Sequence, residues 1–195
     1  DECRKLFELR MSLVPYLYSA FEEYQKTGLP PVSAVVMEYP QDEAARNLDD
    51  EYFFGKDLLV CPLTLEDGTS REVYLPEGNW YNFFTGEKIE GGRRLVLEAD
   101  WNEMLVFARD GALVPVAEPV ICVTEDTVFN ITVKSFGTNK TGSCVLYEDD
   151  FVSFNYESLV AKKQINVTVG DNGKFIVSGA KTSTKYHFLN CIVKD

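Results

Sequence analysis

Apolar residues recur at helical spacing at the start of the chain and at strand spacing through nearly all the rest. Leu6, Leu9, Leu13, Leu17, Phe21 and Tyr24 step by three or four positions, which puts them on one stripe of an α-helix. Arg4, Lys5, Glu8, Glu22, Glu23 and Lys26 fall on its other faces. Gly28 stands where a C-terminal cap belongs, with Pro30 and Pro31 just beyond, so the spacing predicts a long helix over 3–26. Pro15 lies inside it and should kink it or remove one backbone hydrogen bond. A helix with so broad an apolar stripe has to bury it against something. The run "VSAVVMEYP" that follows is β-branched and bounded by prolines, which predicts a buried strand over 32–39. Residues 41–52 are polar and acidic and read as a loop with a short helix.

The period then changes. "DLLVCPL", "REVYLP", "NWYNFF", "RRLVLEA", "EMLVFA" and "ALVPVA" are short apolar runs separated by Gly-bearing turns such as "PEGN" and "RDG". Closely spaced strands of this kind predict an antiparallel sandwich or barrel. After Pro119 the pattern resumes in "VFNITVK", "SCVLYED", "KQINVTVG", "KFIVSG" and "KYHFLNCIV", with "GDNG" at 170–173 as a hairpin signal. The chain therefore reads as mainly β, a helix and strand followed by two all-β units. It carries no tandem repeat and no low-complexity tract.

Composition supports a packed core, since 45% of the 195 residues are hydrophobic and 13% aromatic. A complete (β/α)₈ barrel takes about 250 residues, so the chain is too short for one. A net charge of −12 without a basic stripe repels phosphate backbones, and no apolar run approaches the roughly 20 residues that span a bilayer. Neither nucleic acid nor a membrane is expected as a partner. Cys3, Cys61, Cys122, Cys144 and Cys191 are scattered and form no CxxC pair, which argues against a zinc site or redox dithiol and slightly favours a reducing, cytoplasmic compartment. Asn130-Ile-Thr132, Asn139-Lys-Thr141 and Asn166-Val-Thr168 have the form of N-glycosylation acceptors and pull toward secretion. Asp1 runs straight into helical sequence, so the start reads as a cut and the full-length localisation stays open.

Candidate chemistry is sparse. His187 is the one histidine, so any catalytic triad would have to use it; in a strand-like run it reads as structural. Gly-rich phosphate loops are absent, and no cofactor is expected. Asp49-Asp50-Glu51 and Glu148-Asp149-Asp150 are acid clusters, but catalytic carboxylates usually stand apart in sequence and meet on rigid elements. Calcium would need oxygen ligands at spacings these clusters do not show. "YLPEGNWYNFFTGE", Tyr74–Glu87, gathers five aromatic residues in fourteen positions. Period-2 alternation sends Trp80 to one face and Tyr81 to the other. Trp80, Tyr81 and Trp101 are the candidate carbohydrate contacts if such rings are exposed, and core packing is their other use.

The order of motifs is more specific than any one of them. "LRMSLVPYLYSAFEEYQKTGLP", "EYP", "DDEYFFGKDLLVCPL", "VYLPEGNWYNFFTGEKIEGG", "VFARDGALVPVAEP" and "LYEDD" occur in succession. That succession resembles the C-terminal part of glycoside hydrolase family 31, the α-glucosidase and α-xylosidase family, closely from Leu9 to about Pro119 and more weakly beyond. The resemblance implies that residues 1–56, with helix 3–26 and strand 32–39, end the catalytic barrel. It makes 57–118 a proximal β-sandwich and 119–195 a distal one. It implies a carbohydrate substrate for a full-length retaining enzyme, with the aspartate nucleophile and acid/base upstream, so this segment should be inactive and no catalytic residue can be placed on it. Ser33-Ala34 stands where the family has Arg-Pro, and "YEDDF" where it has "YEDDG". A carbohydrate-binding module and a structural module that self-associates, as a homo-oligomer, are the other readings; exposure of Trp80, Tyr81 and Trp101 separates them.

Overall fold

The computed structural model describes residues 2–64, 69–99, 103–137, 143–150, 153–154, 163–169, 175–178 and 183–194. Two helices open the chain, α1 at Glu2–Ser12 and α2 at Val14–Thr27. The single helix expected over 3–26 is broken at Leu13, and Pro15 is the reason. Placed at the start of α2, it sits where a backbone donor has no intrahelical partner, so its missing N–H costs nothing. Gly28 closes α2 in the left-handed conformation at φ 78°, its N–H reaching the Tyr24 carbonyl at 2.8 Å.

The strands follow in order: β1 Val32–Ala34, β2 Tyr52–Phe54, β3 Leu58–Cys61, β4 Ser70–Leu75, β5 Asn79–Asn82, β6 Lys88–Glu90 and β7 Arg93–Glu98. Then come β8 Leu105–Arg109, β9 Leu113–Ala117, β10 Phe129–Phe136, β11 Ser143–Glu148, β12 Lys163–Val169, β13 Phe175–Ser178 and β14 Tyr186–Lys194. A short helix, α3, occupies Val35–Glu38. An antiparallel six-stranded sheet runs β1-β2-β3-β8-β5-β6, and β4 pairs with β7 in a two-stranded ribbon. Two three-stranded sheets, β14-β10-β9 and β11-β12-β13, complete the fold. β12 and β13 pair antiparallel, with Val169 opposite Phe175; the "GDNG" turn between them lies outside the described residues.

The central strands of the six-stranded sheet are buried on both faces, residue by alternate residue. Leu58, Val60, Tyr81, Val106 and Ala108 point into one core with Leu13 and Tyr16 of the helices and Val114 and Phe136 of the following sheet. Leu59, Cys61, Trp80, Leu105 and Phe107 point the other way, onto Val73 and Leu75 of β4. A third core, including Leu113, Phe129, Ile131, Val133, Leu146 and Val167, fills the space between the two three-stranded sheets. This is the alternation that a strand covered on both sides must show.

Two sequence expectations are corrected here. The strand over 32–39 is only three residues long and lies antiparallel to β2 at the edge of the six-stranded sheet, whereas barrel strands are parallel. Its apolar run turns helical at Val35, which is fully buried beside Ala45 and Phe53, so tertiary packing overrides β-propensity. Because β1, β2 and β3 share one sheet, the division at 56/57 falls within a hairpin, and β9 joins the second set of sheets rather than the first. The apolar stripe is also re-phased by the break at Leu13. Leu9, Leu13 and Tyr16 reach the core, while Leu6, Phe21 and Tyr24 stay exposed.

One charged cluster lies under the loop before β2. The Arg71 guanidinium binds the Asp50 carbonyl at 2.8 Å and the Asp50 carboxylate at 2.9 Å, and also the Pro62 carbonyl. Glu51 Oε1 accepts the Tyr74 N–H at 2.7 Å and stands 3.7 Å from Arg71, while its buried Oε2 has no hydrogen-bond partner. Burial pushes the Glu51 carboxyl up to about 7, against the lowering effect of the Tyr74 N–H and Arg71. A carboxyl raised in the folded state binds its proton more tightly there than in the unfolded chain. The stability it contributes is therefore full below the unfolded value and is lost as pH rises through about 7. Urea midpoints measured between about pH 5 and 8 should fall with rising pH, and Glu51→Gln should flatten that part of the slope; an unchanged slope would contradict it. Truncation at the two-faced sheet is the second expectation. Trp80→Ala should cost about 3–5 kcal/mol in denaturant unfolding, and a loss below about 1 kcal/mol would show that the site is not core.

Candidate functional site

Trp80 and Tyr81 do not form a surface. Trp80 and Tyr81 are each 1% exposed, on opposite faces of β5 and in different cores. The Trp80 indole N–H donates to the Pro76 carbonyl at 2.8 Å, so even its polar edge is spent inside. A Cβ on Gly91 would stand 2.0 Å from the same carbonyl and 2.9 Å from the indole nitrogen, which is why the turn before β7 needs glycine there. A sugar cannot stack on either ring unless the core opens. Trp101 lies outside the described residues.

The acid clusters are anchors. Asp50 and Glu51 face Arg71 as described, and Asp49 is exposed. Glu148 accepts hydrogen bonds from the Ser183 hydroxyl and from the Thr184 N–H at 2.9 Å, tying β11 to the segment before β14. Asp149 accepts the Tyr18 hydroxyl at 2.7 Å and the Tyr147 hydroxyl at 3.0 Å, and the Tyr147 N–H donates to Ser19 Oγ at 3.0 Å. Burial first, then these bonds to a carboxylate, push both phenols well above their usual range. The second cluster thus fastens α2 to β11, and the first holds the loop before β2 to β4. His187 is exposed, and its Nδ1 lies 3.2 Å from Asn130 Oδ1.

Sequence reasoning missed two anchoring groups. Tyr16 inserts into the β2–β3 turn, where its hydroxyl donates to the Phe54 carbonyl at 3.1 Å and accepts the Asp57 N–H at 3.0 Å. Gly55 makes room, since a Cβ there would lie 2.3 Å from the Tyr16 hydroxyl. Arg109 ends β8 with its guanidinium 4.4 Å from the Phe53 ring centroid and 5.4 Å from that of Tyr39, and with Nη2 2.9 Å from Glu38 Oε2. The glycine after the aromatic pair in "YFFGKD" was the one available signal for the first; the second depends on a contact between residues 71 positions apart.

A concentration of exposed apolar side chains lies near the start of the chain. Leu6, Phe7, Phe21, Tyr24, Val32 and Met37, on α1, α2, β1 and α3, are each at least 44% exposed. Leu17, Phe21 and Tyr24 share one side of α2 by helical spacing. Large apolar side chains concentrated in so short a stretch mark an interaction surface rather than ordinary exposure.

Comparison with known proteins gives this arrangement a family. Residues 28–114 match the glycosyl hydrolase family 31 C-terminal domain. The chain is 34% identical over 177 residues to alpha-glucosidase 2 of Bacillus thermoamyloliquefaciens, covering 90% of this chain and 22% of that protein. It is 33% identical to an alpha-xylosidase of Saccharolobus solfataricus, covering 78% of this chain and 21% of that protein. Among solved structures, a family 31 dextranase of Flavobacterium johnsoniae, seen with isomaltotriose, superposes with a TM-score of 0.81 at 32% identity, over 90% of this chain and 22% of that one. An alpha-xylosidase of Xanthomonas citri gives 0.77 at 30% identity, over 96% of this chain and 21% of that one. The chain thus spans about a fifth of the length of these relatives, and it belongs to glycosyl hydrolase family 31 as a C-terminal segment.

Proposed function

We infer that the chain is the supporting, non-catalytic part of a longer retaining α-glycosidase that acts on α-glucosides or α-xylosides. Retaining hydrolysis needs two carboxyl groups about 5 Å apart on a rigid scaffold, and the acids in the described clusters are committed to holding strands and helices together. The nucleophile and the acid/base then belong to a barrel that the helices and β1 adjoin, with the two sets of sheets as the sandwiches that buttress it. The observation that carries this reading is the concentration of exposed apolar side chains on α1, α2, β1 and α3, next to the core formed by Leu13, Tyr16 and the six-stranded sheet. Burying a large apolar side chain contributes about 1.5–3 kcal/mol, so these six residues favour a permanent neighbour strongly.

Two measurements test it. The isolated chain should show no turnover of aryl α-glucoside or α-xyloside, and turnover abolished by replacing one of its own carboxylates would overturn the reading. It should also self-associate with rising concentration in sedimentation, as the open helix face finds a second copy. The double substitution Phe7→Glu, Phe21→Glu should restore a monomer while changing stability by no more than about 0.5 kcal/mol per site. A chain that stays monomeric at every concentration and binds no hydrophobic dye would show that this face needs no partner.

A further inference from the structure

A cavity of about 210 Å³ lies where α2, the β2–β3 turn, β9 and β11 meet. Leu29, Pro30, Pro31 and Pro115 give it an apolar wall. Asp57 lines it too, and its carboxylate makes no hydrogen bond or ion pair among the described residues, since its N–H and carbonyl take the two contacts with Tyr16 and Arg109. Tyr16 and Cys144 line the same cavity beside it.

The chemistry of the lining selects a ligand class. Glu22, Glu23 and Asp57 together exclude an anion. Lys56 and Arg109 oppose the Asp57 charge, and Glu22 is already paired with Lys26 at 2.9 Å, so a simple cation has little to gain. Burial raises the Asp57 carboxyl above the ordinary range, and its oxygens accept from hydroxyl groups. A neutral molecule with hydroxyl groups around its edge and C–H groups on its faces meets both demands. Drug-sized ligands occupy sites of about 300–1,000 Å³, so the occupant here is smaller. We propose that this cavity is a monosaccharide site, separate from any catalytic centre, in which Asp57 binds sugar hydroxyls and the proline wall packs against the ring. The site rests on the carbohydrate reading above only in the choice of a sugar over other small polyols.

Saturation-transfer NMR on the whole chain, with D-glucose and D-xylose as probes, decides it. Transfer to the sugar protons is expected. Asp57→Ala should weaken binding by about tenfold or more, the loss of one hydrogen bond to a buried carboxyl. Ala20→Leu keeps a good helix former but fills the cavity from α2, and should abolish transfer without lowering the unfolding midpoint. No transfer from the native chain, transfer that both variants leave unchanged, or sugar displaced by methylammonium or inorganic phosphate would each overturn the site. Because binding and not turnover is read, failure here leaves the supporting role intact, and turnover by the isolated chain would leave this site untouched.

Discussion

The centre of the six-stranded sheet, β3, β8 and β5, has no free face, and the rest of the molecule is arranged around that fact. β3, β8 and β5 contribute alternate residues to two different cores, so β3 and β8 are apolar at almost every position and β5 places two large rings between its flanking asparagines. The β4–β7 ribbon has to cover one side. The helices, together with β9 and β10, have to cover the other, which is why Leu13, Tyr16, Val114 and Phe136 meet Tyr81 and Phe83 in a single cluster. The dense aromatic stretch of β5 follows directly: a short central strand with two buried faces needs one large ring for each. Phe83 extends the contact by stacking on Phe136, with ring centroids 5.8 Å apart, and by lying 4.1 Å from Lys134 Nζ.

α2 is the strut that joins the parts. Tyr16 ties it to the β2–β3 turn, and Tyr18 and Ser19 tie it to β11. Each tie is a polar bond at the margin of an apolar contact, so the helix is held in one orientation as well as buried. Its other side keeps Phe21 and Tyr24 exposed. A helix clamped from within and apolar without is what a part wedged between two bodies needs. The relatives, of which this chain spans about a fifth, are long enough to hold such a second body.

Much of this was legible in the residues. The Gly28 cap, most of the strands, the glycine turns and the division of Trp80 and Tyr81 between faces all follow from local pattern, because each depends on neighbours within a few positions. The helix break did not, since Pro15 can either kink a helix or begin one, and only the docking of Tyr16 beside Gly55 decides. Nor did the fate of 32–39, where Val35 leaves a β-branched run to be buried beside Phe53. The parallel pairing of β10 with β14, Phe129 opposite Tyr186, joins strands far apart in the chain and leaves no local mark. Among the proposed site residues, the alternation that placed Trp80 and Tyr81 on opposite faces was available from the start. What could not be read was that both faces are covered, which is a property of the sheet's neighbours.

The fluorescence of Trp80 tests that constraint most directly. The chain has two tryptophans, so Trp101→Phe leaves Trp80 as the only indole emitter. Burial of its ring on the β4 side of the sheet predicts a blue-shifted emission, poorly quenched by acrylamide and unmoved by added maltose or isomaltose. Red-shifted emission, quenched as readily as free indole and altered by either sugar, would mean that the aromatic stretch is an open binding face and that the sheet is not covered on both sides.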